Sequence, residues 1–230
     1  MKNIFIFLSF TAVIFITGCG SNQPSSANLI QNGSAELPKY DSVPPNWQNV
    51  QGHWVTLEGD SIHHDFAFAQ EGNRYFFAGN DTLAILQQDV SVSQFASRID
   101  EQKQSFVFKG YEQSLDQGPN SDQGMISIQG TDSSKTKILY TFNSDTARSI
   151  SKWQPLIDSF LVPPATRFIR IQLIAIRHVG GDNDGYFDNI SLTTQTTGFV
   201  LDKKWLFIII AIVLLAVATS VIYKKNRSKK

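Results

Sequence analysis

The chain has 230 residues, 42% hydrophobic, 12% aromatic and 17% charged, with formal net charge +0. Its 17 Phe, 6 Tyr and 4 Trp exclude a wholly disordered chain, and its single cysteine excludes a disulfide scaffold. The zero charge is a cancellation: all 20 acids lie between residues 3 and 202, whereas eight of the 20 Lys and Arg lie outside that span, leaving it at −8. Such a domain does not attract phosphate backbones, so no nucleic acid is expected as a partner.

At the start, Met1-Lys2-Asn3 and the uncharged residues 4–16 have the basic opening and short apolar stretch of a secretory signal, residues 1–18. Ile16-Thr17-Gly18-Cys19 resembles the lipobox of bacterial lipoproteins. That resemblance implies cleavage before Cys19 and lipidation of its thiol. Residues 19–27 then read as a polar tether.

Residues 28–197 have an all-β texture. Short alternating or apolar runs recur between turn formers, at Trp54–Leu57, Tyr75–Ala78, Leu83–Val92, Phe106–Phe108, Met125–Ile128, Ile138–Phe142, Ser159–Val162, Phe168–Ile176 and Tyr186–Leu192. No helical period lasts beyond a turn or two. Many short strands in one domain predict a sandwich or barrel. Alternation along Phe168–Ile176 places Ile169, Ile171, Leu173 and Ala175 on one inward face, and the same rule places Asp188 with Tyr186, Ile190 and Leu192.

Three segments carry a resemblance over the length of this domain. They are Asn28-Leu29-Ile30-Gln31-Asn32-Gly33-Ser34-Ala35-Glu36 with Pro45-Asn46-Trp47, then Gly72–Gly79 with Leu86-Gln87-Gln88-Asp89-Val90, then Gly185-Tyr186-Phe187-Asp188-Asn189-Ile190-Ser191-Leu192. In this order they are similar to the signatures of carbohydrate-binding-module-like, galactose-binding-like jelly rolls. Ala35 departs from the usual Phe. The resemblance implies a jelly-roll β-sandwich and a structural Ca2+ held by Glu36 and Asp188 with backbone carbonyls. Two carboxylates capping turns through backbone N–H bonds are the alternative.

The other motifs are weaker. Gly180–Gly185 has an Asp-x-Asp echo of a calcium loop without its closing glutamate, and is expected as a solvated hairpin loop. His63 and His64 are adjacent and would point to opposite faces, while His53 and His178 have no His or Cys neighbour. With no H-E-x-x-H, G-x-S-x-G or C-x-x-C, the expectation is a domain that is not an enzyme. Trp54, Tyr111 and Trp153 are the candidate ligand-binding residues, as rings that could stack on a sugar, whereas Trp47 is expected in the core.

After a linker at 198–204, Trp205–Tyr223 is nineteen uncharged, predominantly apolar residues, about 28 Å as a helix, with an aromatic at each end. The basic tail, 224–230, places the C-terminus in the cytoplasm by the positive-inside rule. The sequence therefore predicts a single-pass protein of the cytoplasmic (inner) membrane, lipid-anchored at Cys19, with its acidic domain outside. The expected partners are carbohydrate or envelope glycan and membrane lipid. The alternative is an envelope adaptor that docks a membrane protein.

Overall fold

A computed structural model of the chain describes residues 27–37, 43–58, 69–145, 147–148 and 152–196. The signal segment, Cys19, most of the tether and the Trp205–Tyr223 run lie outside the described residues. Among the described residues no helix is long and apolar enough to cross a membrane.

Two antiparallel sheets make a β-sandwich with a jelly-roll-like arrangement. The first runs β1 (Gln48–Gln51), β4 (Leu83–Ser91), β10 (Phe168–Ile176), β6 (Gln123–Thr131) and β7 (Ile138–Asn143), with the two-residue β8 (Ala147–Arg148) beside the start of β6. The second runs β2 (Val55–Glu58), β3 (Arg74–Phe77), β11 (Gly185–Thr196), β5 (Gln104–Ser114) and β9 (Gln154–Leu161). Between β4 and β5 the chain makes a 3-10 turn at Ser93–Phe95 and one short helix, α1 (Ala96–Asp100), whose Ile99 is buried.

Strand alternation builds the core. On β10 Ile169, Ile171, Leu173 and Ala175 are fully buried. They pack in one cluster with Phe106 and Phe108 of β5 and with Phe187 and Leu192 of β11. Each of the Ile, Leu and Phe side chains contributes about 1.5–3 kcal/mol by leaving water. Trp47 belongs to this core, edge-on to Phe76 with ring centres 5.1 Å apart.

The alternation breaks once in β11. Its pairing with β5 reaches Asp188↔Tyr111 and resumes at Ser191↔Lys109, so Asn189 and Ile190 together oppose one residue, and Asn189 has φ 50°. This bulge changes the phase of the strand. Ile190 and Leu192 face the core, but Asp188 lies with Tyr186 on the outer side of the second sheet, correcting the inward placement read from strict alternation.

Candidate functional site

The outer face of the first sheet carries the polar half of its alternation. Register aligns Gln48, Gln87, Gln172, Ser127 and Asn143 in one row across β1, β4, β10, β6 and β7. The next row, Asp89, Arg170, Gln129 and Thr141, lies on one side, and Ile85, Ile174 and Met125 lie on the other. The amides are linked: Gln172 Nε2 donates to Gln87 Oε1 at 2.9 Å, and Gln129 Nε2 donates to Gln172 Oε1 at 3.3 Å. Arg170 donates to both carboxylate oxygens of Asp89, at 2.8 and 3.3 Å. Such a network fixes the side-chain planes while leaving amide valences for a ligand. Asp89 also lines a cleft of about 340 Å³ with Leu29, Gln31 and Ser91.

The aromatic candidates part company. Trp54 is 1% exposed, inside the core beside Phe187 at 5.9 Å, so the structure corrects its assignment as a stacking platform. Tyr111 and Trp153 are half-buried and share the outer face of the second sheet. Tyr111 lies between Asp188 and Pro155, with Lys109 Nζ 5.2 Å from its ring centre. Trp153 stands edge-on to Tyr75 at 6.1 Å, beside a buried cluster of Tyr75, Phe77 and Tyr186.

Glu36 and Asp188 are brought together by the chain at Gln70–Arg74. Glu36 Oε1 accepts the backbone N–H of Asn73 at 2.7 Å and of Arg74 at 2.8 Å. Asp188 Oδ2 accepts from Glu71 N and Oδ1 from Asn189 N. Gly72 has φ +68°, and a Cβ there would strike the Glu36 carboxylate, so the close approach requires glycine. Burial pushes the Asp188 carboxyl up to about 7 against these hydrogen bonds, and the Glu36 charge adds to the rise. A cation would compensate that charge, with Gln70 Oε1, which accepts from Asn189 Nδ2, as a further oxygen close by. Among the described residues no cluster of three or more acidic, His or Cys side chains forms, so the fit to calcium rests on two carboxylates and neutral oxygens.

The Gly180–Gly185 segment is no hairpin loop: it crosses from β10 in the first sheet to β11 in the second, with Asn183 and Asp184 buried. Asp122 holds this crossing by accepting the N–H groups of His178, Val179 and Asp184. His63 and His64 lie outside the described residues.

The amide row escaped the sequence reading. Arg170 and Gln172 are legible as the polar side of β10, but nothing in the sequence says that β4 and β6 flank β10.

No protein-family model matches the chain, and no curated protein sequence matches it. Solved structures share its fold. A cyclase from Fischerella sp. TAU aligns with 76% of this chain and 98% of its own, at 13% identity and TM-score 0.51. An apo cyclase from Fischerella sp. does so over 76% and 97%, at 14% identity and TM-score 0.50. TmCBM61, solved with β-1,4-galactotriose, aligns over 74% of this chain and 100% of its own, at 12% identity and TM-score 0.47, too loose to carry an argument. At these identities the likeness shows the β-sandwich and nothing finer. It also corrects the expectation that the domain is not an enzyme, since cyclases are built on the same fold.

Proposed function

We propose that the protein is a carbohydrate-binding module held on the outer side of the cytoplasmic membrane, with its ligand lying across the outer face of the first sheet. The observation that carries this reading is the cross-strand row Gln48, Gln87, Gln172, Ser127 and Asn143 beside the apolar row Ile85, Ile174 and Met125. Side-chain amides can donate to and accept from neighbouring sugar hydroxyls, and aliphatic side chains suit the C–H faces of a pyranose. Four strand spacings of about 4.8 Å separate Gln48 from Asn143 by about 19 Å, so a chain ligand can meet the whole row. Membrane retention is supported by the Cys19 motif and the Trp205–Tyr223 run. Glu36 and Asp188 are the proposed calcium ligands, on the outer side of the second sheet.

The test is calorimetry of the detergent-purified full-length protein against β-1,4-linked galacto-, gluco- and N-acetylglucosamine oligosaccharides. Saturable binding is expected, weakened about tenfold by Gln172→Ala, the loss of roughly one hydrogen bond. If Tyr111→Ala and Trp153→Ala abolish binding while Gln172→Ala does not, the ligand belongs on the second sheet. Silence across the panel sinks the carbohydrate reading.

One observation favours the adaptor reading. On the outer face of the second sheet Ile157 is 64% and Leu161 44% exposed, in line with Pro155 and next to Tyr111, which suits a protein contact. A membrane protein that co-purifies with the wild type and is lost in Ile157→Lys would select it.

A further inference from the structure

The two ends of the described chain leave the sandwich together. Leu29 N donates to Leu192 O and Leu192 N donates to Asn28 Oδ1, so the chain enters alongside the second half of β11. Leu29 lies by Ser91 and Gln31 by Gln88, so the chain traced back toward its N-terminus heads for the end of β4. β11 finishes at Thr196, paired with Gln104 at the start of β5. Both ends therefore emerge where the β4–β5, β6–β7 and β9–β10 connections lie.

Eight residues separate Thr196 from Trp205, and seven separate Cys19 from Ala27. Fully extended, such linkers reach no more than about 30 Å. With both anchors in the bilayer, this end of the sandwich is held close to it from two sides.

Charge is divided along the same axis. The end that releases the two linkers carries Arg98, Lys103, Lys135, Lys137, Arg167 and Arg170. Its acids are Asp89, Asp100, Glu101 and Asp132, so six basic residues face four acidic ones; ion pairs join Lys103, Lys135, Arg167 and Arg170 to Glu101, Asp89 and Asp100, and the excess is carried by Arg98 and Lys137 against Asp132. The opposite end reverses the sign, where Asp81, Asp116, Asp122, Asp145, Asp182 and Asp184 outnumber Arg148, Lys152 and Arg177. In a span whose net charge is −8, a cationic end is the exception.

We propose that this cationic end is a docking surface for an anionic lipid bilayer, which stands the domain upright on the membrane and turns its acidic end outward. The inference rests on the membrane anchoring proposed above. The attraction acts within a Debye length of the headgroups, so the anchors supply the attachment and the charge supplies the orientation. Upright, the polar row on the first sheet runs parallel to the membrane and is open from the side.

The test is lysine acetylation footprinting of the full-length protein in nanodiscs, comparing phosphatidylcholine alone with equal parts phosphatidylcholine and phosphatidylglycerol. Lys103, Lys135 and Lys137 are expected to react several-fold more slowly in the anionic discs, and high salt should restore their rate. Lys109 on the face of β5 and Lys152 at the far end should react equally in both. Lys137→Glu combined with Arg98→Glu should remove the protection of Lys135. Equal rates at all five lysines in a protein that resists alkaline carbonate extraction would overturn the orientation alone. Extraction by carbonate would overturn the anchoring and the orientation with it.

Discussion

Glu112 shows what one residue costs in this sandwich. It faces inward opposite Phe187, 5% exposed, and burial pushes its carboxyl up to about 7 although the Ser144 hydroxyl donates to Oε2 at 3.0 Å; Asp145 adds to the rise. A folded-state value above the ordinary 4.5 means that the fold prefers the protonated acid. Its stabilisation is complete below about 4.5 and is lost as pH rises to about 7, on the order of 3 kcal/mol. Thermal unfolding between pH 5 and 8.5 should therefore show Glu112→Gln melting higher than the wild type at pH 8, with a flatter pH profile. An unchanged profile would show that the charged carboxylate is satisfied. Asp188 titrates with the same sign, so part of the slope should survive. That remainder belongs to the proposed calcium site. Millimolar calcium should raise the wild-type midpoint, by about 2.7 kcal/mol of stability at a hundredfold excess over Kd, and Asp188→Asn should abolish most of the rise. Equal midpoints in calcium and in chelator would leave Glu36 and Asp188 as caps on the Gln70–Arg74 backbone.

At the scale of elements, β9 is an eight-residue strand at the edge of its sheet among the described residues, the usual template for unwanted pairing. Two residues blunt it. Pro155 has no N–H to offer, and Asp158, opposite Phe108, turns a carboxylate toward the sandwich interior, where its charge raises the Tyr140 hydroxyl's pKa after burial. Asp158→Val should lengthen the apolar edge and promote self-association, seen as a weight-average mass that climbs with concentration in sedimentation equilibrium. A variant that sediments like the wild type would show that Pro155 guards the edge unaided. The elements differ in how far the sequence disclosed them. β10 ends where period-2 alternation ends, at Phe168 and Ile176, because it is buried on one face along its whole length. β1 and β8 were missed because they are short and depend on their partner strands rather than on a pattern of their own. The five residues of α1 are too few to express a helical period. The candidate site was legible in pieces. Glu36 and Asp188 do meet, but one extra residue in β11 reversed the predicted face of Asp188. Tyr111 and Trp153 share a face because β5 and β9 pair across some forty residues, a long-range fact that local periodicity does not contain.

For the whole molecule, the topology can be tested directly. A reporter fused after Lys230 should be active in its cytoplasm-dependent form, and Cys19→Ala should abolish acyl labelling. A reporter active only outside would reverse the orientation, and persistent labelling would remove Cys19 as the lipid site. The β11–β5 ladder has a mechanical meaning in such an arrangement. β11 pairs with β5 through ten register positions between Gly185 and Thr196, and the chain continues from Thr196 toward the apolar run. The share of a load on a bound ligand that the C-terminal anchor carries reaches the membrane along the axis of β11. It strains those rungs together in shear rather than peeling them one at a time, and the protein's grip under tension becomes a matter of how slowly one strand can slide.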